Sequence, residues 1–326
     1  MKISVVIPSY NRGEMIAVTL DAILGQSRKP DEVIVVDDGS TDNTVEFVGE
    51  KYGDAVRLIR QENGGPESAR KHGIEAATGD WIALCDSDDI WLPDHVERLC
   101  MMHARYPDAD CLSANFTEVG SSARHQDKFL SMGEAFWAQA DKDADGLMYL
   151  GPDQFKRLLS GNPFFTSATM FSKALYDRAG GINPAYARLP AGDADLTRRM
   201  ALVGTMACDW HISVQINKHG ENFSADGFRN GMGKIVMLKD YLGQPDMFGR
   251  YEGDIREAVD RAAIALMYGA FAARNMVDFD TAAAELPFGK RPFGLKVRSL
   301  FAALPDGLVK MIFSLYDRTQ QTKETH

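Results

Sequence analysis

The sequence predicts an α/β protein: a doubly wound, mostly parallel central sheet flanked by helices, with a helical C-terminal extension. Three observations carry this. Short β-branched runs at 3–7, 32–37, 56–60 and 81–85 read as strands buried on both faces. Helical spacing fills the gaps between them, and a βαβαβαβ order implies parallel strands with right-handed crossovers. Beyond Phe228 the pattern is helical, with Ile255, Val259, Ala262, Leu266, Ala270 and Phe271 forming one apolar stripe.

Each element has a local reason. Met15, Ile16, Thr19, Leu20, Ile23 and Leu24 recur at helical spacing after the first strand. Ser40 or Thr41 is expected to cap a helix carrying Val45 and Val48. Pro66 suits the first turn of a helix through Ala77, and Gly79 follows its end. Residues 112–119 and 166–171 read as strands, and 206–216 as one or two more. Residues 173–179 and 195–202 read as short helices, and 120–150 as loop. The expected organisation is two halves of one domain, 1–110 and 111–225, followed by a helical region at 226–326.

Composition narrows the class. With 45% hydrophobic and 25% charged residues, the 326-residue chain is globular rather than disordered. A formal charge of −10 argues against nucleic-acid binding. No apolar run reaches the roughly eighteen residues that span a bilayer. The run at 3–7 reads as a strand rather than a signal peptide, which places the protein in the cytosol. Cys85, Cys100, Cys111 and Cys208 form no Cys-x-x-Cys pair and are expected to be reduced and buried. Residues 288–318 carry six basic residues against two acidic ones, mixed with apolar residues. Either peripheral contact with an anionic membrane or packing as helices accounts for them. Oligomeric state stays open.

Ligands of open α/β sheets sit beyond the carboxyl ends of the strands. There the sequence has Pro8-Ser9-Tyr10-Asn11-Arg12, Asp37-Asp38-Gly39-Ser40 and Asp86-Ser87-Asp88-Asp89. Three carboxylates in four residues repel one another unless a cation neutralises them. Hard oxygen ligands suit Mg2+ or Mn2+, which also bridges a pyrophosphate. Asp89, ahead of Ile-Trp-Leu-Pro, reads as a helix N-cap. Asp38 is suited to accept an imide N–H, and Tyr10 to stack on a base. Gly64-Gly65-Pro66 opens a helix, and Arg70 on it can meet phosphate. Asp193 and Asp195 stand at another helix start, where an acid is ordinarily a cap or dipole partner.

In order and spacing these segments resemble glycosyltransferase family 2, with its GT-A nucleotide-sugar-binding fold. The resemblance runs from VVIPSYNRGEMIAVTLDAILGQS through VIVVDDGSTDNT to NGGPESARKHGIEAATGDWIALCDSDDIWLPDHV. It resumes at SKALYDRAGGINP and GDADLTRRMALVG, covering about residues 1–220. It implies a metal-dependent, inverting transfer of sugar from a nucleoside-diphosphate sugar, by default a UDP-sugar, to a carbohydrate or lipid-linked hydroxyl. Polysaccharide or glycolipid synthesis is the implied setting. Tyr10 and Asp38 would contact the nucleobase, with Pro8 and Ser9 shaping the same wall. Arg70 would lie near base and phosphates. Asp86 would hold ribose or metal, and Asp88 the Mn2+ or Mg2+ ion, with His219 as a further metal candidate. Asp193 matches the catalytic base, with Asp195 in reserve, although Gly192 stands where many members have Glu. The alternatives are a sugar-phosphate nucleotidyltransferase and a non-catalytic nucleotide-sugar-binding protein. The first usually has a glycine-rich basic loop after its first strand, whereas PSYNRGE has one glycine and one arginine.

Overall fold

The structure, a computed structural model, describes every residue except 141, 188, 190–191, 219–225, 306, 309–310 and 312–326, and the side chain of Asp193. The chain forms two compact units, Met1–Ala225 and Asp226–His326.

The first unit opens with β1 (Ile3–Ser9), α1 (Ile16–Leu24), β2 (Glu32–Asp37), α2 (Thr44–Tyr52), β3 (Arg57–Arg60), α3 (Pro66–Ala76) and β4 (Trp81–Leu84). It continues with β5 (Ile90–Trp91), α4 (His95–Arg105), β6 (Cys111–Val119), α5 (Lys128–Ser131), α6 (Glu134–Trp137) and β7 (Leu147–Pro152). It ends with α7 (Phe155–Ser160), β8 (Thr169–Ser172), α8 (Lys173–Arg178), α9 (Gly192–Val203) and β9 (Thr205–Asn217). Strand order is β3-β2-β1-β4-β8-β6-β9-β5, with β7 also pairing with β9. The β3-β2-β1-β4 part is parallel throughout. β8 then lies antiparallel to both β4 and β6, so the helix-covered parallel part meets a mixed second part there.

Alternation along each strand divides the core between the two sheet faces. Ile3, Val5, Ile7, Val33, Val35 and Trp81 face one side, packed with Ile16 and Leu20 of α1 and Leu99 of α4. Val6, Ile34, Val36, Ile82 and Leu84 face the other, packed with Ala69 and Ile74 of α3 and Leu196 of α9. Gly73 lets α3 lie close to the sheet: a Cβ there would be 2.3 Å from Val6 Cγ1 and 3.0 Å from Val36 Cγ2.

Three local expectations are corrected. Ser40 and Thr41 do not cap α2, whose N-cap residue is Asn43; the Ser40 hydroxyl instead accepts the Asn11 N–H. Asp89 caps no helix. It leads into β5, and α4 begins later, after Asp94. Residues 120–150 are not all loop. They contain α5, α6 and the start of β7, because Phe129, Phe136 and Trp137 are buried in one aromatic cluster. All four cysteines are free, and Cys100 is only half-buried.

The second unit holds α10 (Gly227–Leu242), α11 (Pro245–Phe248), α12 (Glu252–Ala272), α13 (Met276–Ala284) and α14 (Phe293–Ala302). Asp226 and Asn275 cap α10 and α13 through their side chains. Ile255, Val259 and Ala270 of the predicted stripe are buried, with Ala263 and Met267 between them. α14 exposes Phe293, Val297 and Leu300. No helix among the described residues is long and apolar enough to cross a membrane.

Candidate active site

The site is built where β1, β2 and β4 end. Register pairs Pro8 with Val36 and Ser9 with Asp37, so these two strands finish level. The Asp38 N–H donates to the Ser9 carbonyl at 2.8 Å. Ser9 is buried and its Oγ has no protein partner, while Tyr10, one residue on, is 47% exposed. Pro8, Ser9 and Tyr10 therefore form one wall, with the aromatic ring at its open edge.

Asp38 is buried and clamps a loop. Its Oδ1 accepts from Gln61 Nε2 and the Gly64 N–H, each at 2.8 Å, and its Oδ2 accepts the Gly65 N–H at 2.8 Å. A carboxylate has about four lone-pair directions, so roughly one acceptor direction remains for a ligand. Gly39 has φ +77°, and a Cβ there would be 3.0 Å from the Asn63 nitrogen, so glycine is needed for the close approach of this loop. The clamped glycines lead into α3 with Pro66 at its start, and α3 carries Arg70.

Arg70 is almost fully buried, and its guanidinium pairs with both Glu67 and Asp86. Arg12 reaches across from the β1 loop, with Nε on the Ser87 hydroxyl at 3.1 Å and Nη2 on Asp88 Oδ2 at 3.3 Å. Each carboxylate of the Asp-x-Asp segment thus faces an arginine from a different element, Arg70 from α3 and Arg12 from the loop after β1.

Asp89 lies beneath. Its Oδ2 accepts from the Ser167 hydroxyl at 2.5 Å and its Oδ1 from the Asn217 N–H at 2.9 Å. Ser167 Oγ also accepts the Asp86 N–H at 2.9 Å. Burial, then the charge of Asp86, push the Asp89 carboxyl well above the usual carboxylate range, while the Ser167 hydrogen bond opposes them. Burial, followed by the charges of Asp89, Asp86 and Asp88, pushes the Cys85 thiol up in the same way. Three carboxyl groups therefore crowd this strand end, two of them matched by arginines.

Asp86 and Asp88 offer hard oxygen donors of the kind that Mg2+ or Mn2+ takes. The donor chemistry fits. Among the described residues no group of three or more His, Cys, Asp or Glu could hold a metal ion; His219 lies outside them. Asp193 is the second residue of α9, and its side chain is likewise undescribed. Asp195, two residues on, is buried and ion-paired with Arg199. Glu67, Arg70, Leu196 and Thr197 border one small hollow, so α9 flanks the Arg70 side of the site. A Cβ on Gly192 would be 2.8 Å from the Tyr186 carbonyl oxygen and 3.6 Å from Glu67 Cγ, which explains the glycine ahead of Asp193.

Sequence reasoning did not single out Arg12, Glu67, Gln61 or Ser167. Each acts through a partner distant in the chain or through an ordinary-looking helix turn. The one signal available was Arg12 itself, the single cation in the loop after the first strand.

The signature described as glycosyl transferase family 2 matches residues 4–172. An uncharacterized glycosyltransferase, YibD, of Escherichia coli (strain K12) is 39% identical over 128 residues, 37% of this chain and 37% of that protein. The chain thus spans little more than a third of that relative's length. S. aureus TarS 1-349 in complex with UDP superposes with a TM-score of 0.57 at 15% identity, over 86% of this chain and 90% of that one. The mannosyltransferase PcManGT from Pyrobaculum calidifontis, in complex with GDP-Man and Mn2+, gives a TM-score of 0.59 at 18% identity, over 98% and 80%. The fold is the GT-A type. On the match over residues 4–172, the chain belongs to glycosyl transferase family 2.

Proposed function

We propose that the protein moves a sugar from a nucleoside-diphosphate sugar, by default a UDP-sugar, to a hydroxyl acceptor, with inversion at the anomeric carbon. The observation that carries this reading is the joining of three strand-end loops: Asp38 to the Gly64-Gly65 loop, Arg70 to Asp86, and Arg12 to Asp88. In this reading Tyr10 stacks on the base, and Asp38 offers its remaining lone pair to the imide N–H. Pro8 and Ser9 line the base pocket, and Arg70 holds Asp86 toward ribose and phosphate. Asp88, with Asp86 and His219, would hold Mn2+ or Mg2+, which when bound supplies positive charge against the leaving diphosphate. Asp193 takes the proton from the acceptor hydroxyl as it attacks. One base and no protein nucleophile give inversion. Residues 1–110 act as the donor half and 111–225 as the acceptor half.

The exposed Phe293, Val297 and Leu300 support peripheral contact of 288–318 with a lipid surface, near which a lipid-linked acceptor would lie. Lys290 pairs with Asp260 and Arg298 stacks on Tyr268, while Lys310 and Arg318 lie outside the described residues. Co-sedimentation with anionic vesicles, with and without residues after Pro287, tests this; equal sedimentation would end it.

A donor screen with Mn2+ tests the main reading. Release of nucleoside diphosphate is expected, lost in Asp193→Asn with donor affinity retained within a few-fold. Release of pyrophosphate from a nucleoside triphosphate and a sugar phosphate would replace it with the nucleotidyltransferase reading.

A further inference from the structure

Arg12 and Arg70 both neutralise the Asp-x-Asp segment, but they are held differently. Arg70 is buried and braced by Glu67 on its own helix as well as by Asp86. Arg12 is 28% exposed at its side chain and reaches over from another loop. Its guanidinium is held by the Ser87 hydroxyl and Asp88, and its main chain is fastened separately. The Arg12 and Gly13 N–H groups donate to Thr44 Oγ1 at 2.9 and 2.8 Å. The Asn11 N–H donates to Ser40 Oγ at 2.9 Å, and the Thr41 N–H to Asn11 Oδ1 at 2.8 Å. Asn11 and Gly13 take positive φ values, +49° and +46°, to make this turn. The result is a rigid base with a long, partly solvated arm.

That arm touches Oδ2 of the carboxylate proposed to hold a divalent ion. A guanidinium and a dication sharing one carboxylate repel each other at contact distance. Asp88 side-chain exposure is only 9%, so little carboxylate surface is left to accommodate both.

We propose that Arg12 is an internal competitor for Asp88. It neutralises that carboxylate in the donor-free chain and must release it before a divalent ion binds there. The metal affinity of the free protein is lowered by the strength of the Arg12–Asp88 pair. The freed guanidinium stays tethered beside the diphosphate site, so donor binding favours the release and the ion and donor bind cooperatively. This rests on the reading of Asp88 as a metal ligand, and the two fail differently.

The test is a titration of the donor-free chain with Mn2+ alone, free ion being read by electron paramagnetic resonance. A partly exposed pair of this kind predicts that Arg12→Gln binds Mn2+ about three- to five-fold more tightly than wild type. Arg12→Lys, which keeps the charge, should stay within about two-fold by the same argument. Asp88→Asn should lose the binding, with thermal melts confirming that each variant folds. If Arg12→Gln binds Mn2+ no better than wild type while Asp88→Asn loses it, the competitor role is overturned and the ligand role stands. If Asp88→Asn binds Mn2+ as wild type does, the ligand role falls and the inference with it.

Discussion

The hydroxyl of Ser167 donates to the buried carboxylate of Asp89 at 2.5 Å. The same oxygen accepts the Asp86 N–H, so one side chain fixes both ends of the acidic turn. Ser167→Ala leaves a buried amide and a buried carboxylate each short of a partner. Such losses cost about 2–3 kcal/mol together. Urea unfolding at pH 7 should show it as a lower midpoint, and an unchanged midpoint would exclude the bracing role.

Asp38 is predicted to act on stability as well as on ligand. Asp38→Asn turns an amide NH2 toward one of the three donors it now accepts from, at Gln61, Gly64 and Gly65. A cost of about 2 kcal/mol is expected, accompanied by weaker UDP binding in calorimetry because the loop opens α3. A variant that weakens UDP binding with unaltered unfolding would show that the loop does not depend on the clamp.

His95 gives the fold a defined acid sensitivity. Its ring is buried against Trp91 with Nδ1 on Ser213 Oγ, and burial drives its pKa down to about 3. In the unfolded chain it titrates near 6.5. Below that value the unfolded state binds a proton that the folded state refuses, so stability falls as pH drops from about 6.5 toward 3. At pH 5 the loss from this group is about 2 kcal/mol. His95→Phe should therefore lose about 2 kcal/mol less than wild type between pH 7.5 and pH 5 in denaturant titrations. Equal losses would show that the imidazole is protonated in the fold.

Arg98 and Asp209 form a bidentate pair at 2.6 and 2.9 Å, with Asp209 wholly buried. Arg98→Met removes the charge partner of that carboxylate, leaving it the His211 N–H, and should cost about 3 kcal/mol. Adding Asp209→Leu should recover much of it, since an apolar pair replaces a buried ionic one at little expense. A double variant no more stable than the single one would contradict this.

Much of residues 1–110 was legible because β1, β2 and β4 are largely apolar runs whose polar followers mark the strand ends. The partners of those followers were not. Asp38 and the Gly64-Gly65 loop, or Arg12 and Asp88, meet only once the parallel strands are laid side by side. Asp89 was misread because Asp before Ile-Trp-Leu-Pro has the local look of a cap, while its real partners, Ser167 and Asn217, lie 78 and 128 residues away. Residues 120–150 read as loop because two four-residue helices are too short to display a period, though Phe129 and Trp137 bury them firmly. The stripe in α12 was readable because its helix runs for 21 residues.

The missing side chain at Gly73 sets the height of α3 above the sheet, and Arg70 rides on that helix one turn earlier. A single methyl at position 73 would be driven into Val6 and would jack the helix outward. The guanidinium would then stand off from Asp86 although neither charged residue had changed. The spacing of that ion pair is thus set from the sheet beneath it, by the absence of one side chain.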